Sequence, residues 1–357
     1  MAQTSDPITS DPIAADTTYD LVVIGGGAAG LSAALTAGRA LRSVLVIDAG
    51  SPRNAPAAGA HNLLGHEGSA PRELLAKGRA VARAYGAQIV TGTVTDVTGE
   101  PASGFTVTLA PAPTPAPVPA PAGDRLAPAE AGTIAEAPLP STVRARRIVL
   151  ATGAVDSLPN VPGLAEHWGQ DVIHCPYCHG YEVRGGRIGV LATDSMWLHR
   201  AKLIRQWSDD VTVLLHEQPA PSAEDRATLA SRGVRIVEGR VREVLGARGH
   251  DGGGTGRLTG AAVDGLESPV PLDAILVNTR MRVDSALVDA LGLAVEETIM
   301  GELVSVDMGR ATHVPGVFAA GNVTNPGAMV AASMADGVMA AARANMDLVE
   351  EDFASTR

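Results

Sequence analysis

Two cysteines occur in the 357-residue chain, and they stand three apart in the run Cys175-Pro176-Tyr177-Cys178. That spacing lets the two sulfurs close a bridge across one turn. With no further thiol to build a disulfide scaffold, the pair reads as a redox centre. His179 follows directly. An imidazole changes charge near neutral pH, so it suits the proton transfer that thiol exchange requires. A helix starting at the pair would favour a thiolate through its N-terminal dipole. The competing chemistry is a metal site made of Cys175, Cys178, His174 and His179. Residues this close along the chain cannot all turn toward one ion, and no second ligand cluster completes a tetrahedron, so no metal is expected. Five of the ten aromatic residues fall between positions 168 and 207: Trp168, Tyr177, Tyr181, Trp197 and Trp207. They either wall a pocket beside the cysteines or, for Trp197 and Trp207, belong to a core.

A second chemical signature lies near the N-terminus. Gly25-Gly26-Gly27-Ala28-Ala29-Gly30 follows an apolar run at 19–24 and opens a helical stretch at 30–41. The first glycine permits a tight turn, the second lets a pyrophosphate approach the backbone, and the third lets helix and strand come close. The free N–H groups of the helix start then face the phosphates. Asp48 ends the next strand-like run, 18 residues past Gly30, where a carboxylate would accept ribose hydroxyls. Two further runs of small residues, Ala151-Thr152-Gly153 and Ala319-Ala320-Gly321-Asn322, end apolar strands and suit the sheet edge along which a dinucleotide lies.

The elements that must position these residues alternate. Strands at 43–47, 105–109 and 147–150 accompany the first glycine loop, with a helix at 71–85 whose Pro71 suits a first turn. A Pro- and Gly-rich linker at 158–163 precedes a second series: strands at 188–191, 211–215 and 234–237, and helices at 196–207 and 222–232. The last third returns to the first pattern, with a strand at 317–320 and a helix at 328–348. This predicts an α/β protein of two Rossmann-like three-layer domains, the second inserted into the first. The expected domains are 19–160 with 282–357, and 161–281. Residues 1–18 read as a disordered tail, the Ala/Pro-rich stretch 110–140 as a surface insertion, and the glycine-rich run 249–256 as a flexible loop.

Composition narrows the class. Hydrophobic residues make up 45% and charged residues 19%, enough apolar material for sizeable cores. Lys and Arg number 28 against 39 Asp and Glu, a net charge of −11. That balance argues against nucleic acid or an anionic membrane as partner. No apolar run approaches the roughly 18 residues of a membrane span, and the N-terminus lacks the basic and apolar regions of a secretory signal. The expectation is a cytoplasmic protein.

Together the glycine loop, Asp48, the small-residue strand ends and the CxxC unit resemble low-molecular-weight thioredoxin reductases and their relatives, over residues 19–350 apart from the insertion. The resemblance implies FAD held by Gly25, Gly26, Gly27, Ala28, Ala29, Gly30, Asp48, Ala49, Asn62, Val94, Ala151, Thr152, Gly153, Gly321, Asn322 and Val330, and a homodimer. The family places Asp at position 322, and Asn322 can still accept while it also donates. His179 in place of an Asp after the second Cys is similar to the dithiol oxidases that close disulfides in gliotoxin- and holomycin-like natural products. By that likeness Cys178 faces the flavin and Cys175 meets the substrate, a small-molecule dithiol or a protein thiol, with O2 as acceptor.

The second nucleotide loop of a thioredoxin reductase would follow residues 188–191. Here that run is Ala192-Thr193-Asp194-Ser195-Met196-Trp197, and His216-Glu217-Gln218 stands where the family binds a 2′-phosphate through arginines. Side chains replace the glycines that admit a pyrophosphate, and Asp194 and Glu217 add repulsion. NADPH is therefore not expected. The alternatives are NADH bound through Glu217, an enzyme reducing protein disulfides with NAD(P)H, a reductase fed by another donor, and a non-catalytic FAD-bound sensor.

Overall fold

The computed structural model describes residues 13, 17–111, 140–248 and 255–354. Most of the expected tail, nearly all of the 110–140 insertion and most of the 249–256 loop lie outside the described residues. The chain divides into two compact units: Met1–Pro52 with Arg72–Ala154 and Arg282–Arg357, and Arg53–Pro71 with Val155–Met281. The Arg53–Pro71 segment, expected within the first domain as part of 19–160, groups instead with the CxxC-bearing unit.

The first unit is built on a seven-stranded sheet. Strand Thr18–Ile24 lies at its centre, parallel to Val44–Asp48 on one side and Thr142–Leu150 on the other. Val317–Ala319 joins the far side of Thr142–Leu150, also parallel. Leu21, Val22, Val23 and Ile24 are all nearly inaccessible, the uniform burial of a strand covered on both faces. Helix Ala28–Arg39 turns Ala33, Ala34 and Ala37 inward, and the long helix Val330–Ala354 turns Ala340, Ala341 and Ala344 to the same core. Small side chains let these two helices come close: a Cβ on Gly337 would lie 2.0 Å from the Ala29 carbonyl oxygen. Two antiparallel strands, Thr93–Glu100 and Gly104–Ala110, extend the sheet beyond Thr142–Leu150.

The second unit carries a five-stranded parallel sheet centred on Ile188–Leu191, flanked by Val211–Leu214 and Ala274–Val277. Helix Trp197–Ile204 buries Trp197, Ala201 and Ile204 on it. A three-stranded antiparallel sheet, built mainly by Val241–Arg248 and Thr255–Val263, packs Val244, Leu258 and Ala261 into a second cluster with Leu191 and Ile275. The parallel strands at the centre of both sheets confirm the α/β class. Of the antiparallel strands, Gly104–Ala110 matches the strand expected at 105–109, whereas the ribbon of Val241–Arg248 and Thr255–Val263 was not announced by residue alternation.

Candidate functional site

In the first unit the glycine loop links Thr18–Ile24 to helix Ala28–Arg39. Gly25 adopts φ +105°, and a Cβ there would stand 2.3 Å from the Ala151 carbonyl oxygen. A Cβ on Gly30 would stand 1.9 Å from the Gly25 carbonyl oxygen. These two glycines are required by the protein's own backbone. Gly27 differs, because nothing lies within 4 Å of a Cβ built on it. It opens the helix as an N-cap without any side-chain cap, leaving the first N–H groups directed outward. Asp48 is brought to this loop: a Cβ on Gly26 would lie 2.6 Å from its Cγ. Its carboxylate accepts from the Gly50 N–H at 3.2 Å and stands 3.9 Å from Arg79. Ala49 follows it, half-buried, and Ala28 and Ala29 form the first helical turn.

Ala151, Thr152 and Gly153 leave strand Thr142–Leu150 beside Gly25. The buried Thr152 hydroxyl finds no hydrogen-bond partner among the described residues. An orphaned hydroxyl beside an open glycine cradle fits a dinucleotide such as FAD. Gly321, at φ +83°, opens a short 3-10 turn whose next residue is Asn322. Asn322 Nδ2 donates to the carbonyls of Asn325, Pro326 and Ala328 at 3.1, 3.4 and 3.0 Å. An Asp at this position would face the same carbonyls with nothing to donate, so the departure from the family residue closes the loop ahead of helix Val330–Ala354. Val330 begins that helix. The Val94 side chain belongs to the apolar core, in a strand paired with Gly104–Ala110.

The second unit holds the sulfurs. Cys175 and Cys178 form a disulfide with Cα atoms 5.3 Å apart. The turn between them is one helical turn, Pro176–His179, with Cys175 as N-cap and Pro176 fixing the first position. The expected helix dipole is accordingly that of a single turn. Gly180 lets Trp207 approach, since a Cβ there would stand 3.0 Å from the indole nitrogen. Trp207 meets Tyr177 edge to face with centroids 5.5 Å apart, and Trp168 lies 5.5 Å from the His174 ring. Tyr177 and Tyr181 are exposed, whereas Trp197 is core. The aromatic cluster therefore divides: Trp197 and Trp207 both pack on the core of the second unit, Trp168 packs against its other cluster, and the two tyrosines are exposed.

His179 is set deep, and neither ring nitrogen has a hydrogen-bond partner among the described residues. Burial first, then the charge of His61, holds its pKa below the ordinary histidine value, while the Glu182 carboxylate opposes the shift. A neutral imidazole beside the disulfide is the form that accepts a proton. On the other flank, Arg53 binds Asp156 with Nε and Nη2, at 2.5 and 2.8 Å, and approaches His174 Nε2 at 3.4 Å. Asp156 also accepts from Thr279 at 2.6 Å. Burial disfavours its charged form, but the hydrogen bond and charge of Arg53 prevail and lower its pKa. Burial, reinforced by Arg53, pushes His174 down to about 4.

Sequence reasoning missed His61, Glu67, Arg53 and Asp156. Arg53, His61 and Glu67 lie more than a hundred residues ahead of the cysteines and Asp156 nineteen, outside any motif spacing, so no pattern pointed to them. Asn62 was assigned to the flavin by resemblance. The structure places it at φ +59° with Nδ2 donating to the Tyr177 carbonyl, at the cysteine turn.

The second loop also departs from the simplest expectation. Asp194 is not a bare charge. One oxygen accepts from Arg200 at 2.7 Å and from the Met196 N–H at 2.8 Å, and the other accepts from Asn278. Glu217 pairs with Arg240 at 3.2 Å, and His216 Nδ1 accepts from the Val241 N–H. The loop is filled by its own carboxylate, and repulsion of a polyanion is correspondingly weaker than the sequence alone suggests.

A family model described as pyridine nucleotide-disulphide oxidoreductase matches residues 19–345. The chain is 32% identical to thioredoxin reductase tcpT of Claviceps purpurea (strain 20.1), over 85% of this chain and 86% of that protein. It is 29% identical to thioredoxin reductase sirT of Leptosphaeria maculans, over 94% and 96%. Among solved structures, HlmI superposes with a TM-score of 0.79 at 38% identity, covering 97% of each chain. An oxidoreductase from Agrobacterium tumefaciens superposes with a TM-score of 0.77 at 34% identity, covering 93% of this chain and 99% of that one.

Proposed function

Because the chain belongs to the pyridine nucleotide-disulphide oxidoreductase family, whose thioredoxin reductase-like members are FAD-binding flavoproteins, we propose that it is a dithiol oxidase. It closes a disulfide in a small-molecule dithiol and delivers the electrons to O2. The observation that carries the reading is the second nucleotide loop. Where a thioredoxin reductase receives the NADPH pyrophosphate, Asp194 is tied to Arg200, Met196 and Asn278. Without a nicotinamide, electrons enter at the disulfide.

The residues that would hold FAD are Gly25, Gly27, Gly30, Asp48, Thr152 and Gly321, and the bound flavin supplies a two-electron acceptor that passes its electrons to O2, giving hydrogen peroxide. The chain's own groups run the thiol chemistry. A substrate thiol loses its proton to His179, and its sulfur attacks Cys175 Sγ. Cys178 leaves as a thiolate. The second substrate thiol then gives up its proton and attacks the substrate sulfur of the mixed disulfide; the bond to Cys175 breaks, its electron pair stays on Cys175, and the product departs with its new S–S bond. Tyr177, Tyr181, Trp168 and Trp207 offer apolar faces around the turn, suited to a compact cyclic dithiol. Two electrons and two protons leave each dithiol, matching one O2 converted to one H2O2. The test is oxygen uptake with dithiothreitol as probe. Equal molar oxygen consumption and peroxide formation, without any nicotinamide, supports the oxidase. Turnover that requires NADPH overturns it in favour of a thioredoxin reductase.

A further inference from the structure

One titratable cluster outside the assigned residues stands against the cysteine turn. His61 comes from the Arg53–Pro71 segment, 114 residues ahead of Cys175. Its ring meets that of His179 edge to face, with centroids 6.0 Å apart and planes at 83°. Each of its nitrogens faces a carboxylate: Nδ1 lies 2.7 Å from Glu67 Oε1, and Nε2 lies 3.5 Å from Glu182 Oε1. The next residue, Asn62, fastens the segment to the turn through the Tyr177 carbonyl. The ring is therefore held by a hydrogen bond to Glu67 on one edge, a carboxylate at 3.5 Å on the other, and its neighbour in the chain.

We propose that His61 is a positioning residue of the thiol half-reaction, acting through His179 to keep that ring available as a proton acceptor. This rests on the thiol–disulfide reading above. The charged groups facing His179 are His61 from the Arg53–Pro71 segment, Glu182 three residues on, and His174 ahead of Cys175, with Glu67 behind His61. Positive charge on His61 opposes a second positive charge on His179, while Glu182 favours it. Burial acts in the same direction as His61, so both favour the neutral form of His179. In the step itself, a substrate thiol gives its proton to His179 as its sulfur bonds to Cys175. The Cys175–Cys178 bond breaks, and its electron pair stays on Cys178. The proton stays on His179 and the negative charge on Cys178, so atoms and electrons balance.

The test uses the FAD-loaded protein with dithiothreitol as probe, in wild type, His61→Gln and His61→Lys. Anaerobic flavin bleaching is followed by stopped flow from pH 5.5 to 9, and the His179 ring is titrated by NMR. Loss of the His61 charge lets His179 protonate at higher pH. His61→Gln should therefore move the acid limb of the rate profile upward and slow bleaching at pH 6 by about three- to tenfold, with little change at pH 8.5. The NMR titration of His179 should move the same way, and His61→Lys should restore the wild-type limb. An unmoved His179 titration overturns the proposal. So does a loss of rate equal at every pH, or failure of both variants to fold, since each makes His61 a packing residue. If wild type is not bleached by dithiothreitol, the dithiol reading falls, while the NMR titration still decides the role of His61.

Discussion

Asn62 donates its side-chain amide to the Tyr177 carbonyl, so a residue in the left-handed backbone region ties a distant segment to the middle of the cysteine turn. Two costs are separable here. Asn62→Gly keeps the φ of +59° accessible and loses only the hydrogen bond, about 1 kcal/mol. Asn62→Ala adds the left-handed penalty of roughly 1 kcal/mol. Denaturant unfolding should rank the stabilities wild type, Asn62→Gly, Asn62→Ala. Equal stability of the two variants would show that the backbone relaxes out of the left-handed region.

The three glycines of the first loop should separate fold from cofactor. Gly27→Val introduces a side chain into open space, so the protein folds but the place of the pyrophosphate is taken. The expected product is a colourless, cooperatively melting protein. Gly25→Ala and Gly30→Ala drive a Cβ to 2.3 and 1.9 Å from carbonyl oxygens and should instead lower the melting temperature or prevent folding. Flavin content and thermal melting, measured on the same samples, distinguish the two outcomes.

Cys175→Ser and Cys178→Ser should each abolish thiol oxidation and leave FAD bound, because the exchange needs both sulfurs in turn. The two differ in absorbance. Cys175→Ser retains Cys178, and a long-wavelength band from a thiolate beside the flavin is expected in that variant. Its appearance in Cys178→Ser instead would exchange the roles of the two cysteines.

Acid stability follows from His174. In the fold its pKa lies at about 4, against an ordinary 6.5, because of burial and then Arg53. Between those values the unfolded chain binds the extra proton and the native protein does not. Stability therefore falls as pH drops from 6.5 toward 4, by roughly 1–3 kcal/mol, and this contribution levels off below. Asp156, whose pKa is lowered, adds a further loss at pH below the usual Asp value. His174→Gln should flatten the 6.5-to-4 slope in urea unfolding series. An unchanged slope would place the titrating group elsewhere.

Much of this was legible from residue order alone. The parallel strands, the first glycine loop and the CxxC turn are local patterns, each set by residues within a few positions of one another. Gly25 and Gly30 show why: their contacts are with backbone at 2.3 and 1.9 Å, a requirement that leaves glycine in the sequence. The ribbons at Val241–Arg248 and Thr255–Val263 were not legible, because bulges interrupt their alternation. Asp194 was read with the right sign and the wrong state. Its partners Arg200 and Asn278 lie six and 84 positions away, and only the folded chain shows the carboxylate neutralised. His61 is the extreme case, since nothing in a Gly-, Ala- and His-containing segment ties it to a histidine 118 residues later.

The central claim is that electrons enter through Cys175–Cys178 and not through a nicotinamide. The most direct measurement is the flavin absorbance of the anaerobic wild-type protein, mixed separately with dithiothreitol and with NADPH or NADH. The account predicts bleaching by the dithiol alone, full recovery of colour on admitting air, and no bleaching at millimolar NADPH or NADH. Rapid bleaching by micromolar NADPH, with the dithiol inert, would contradict it.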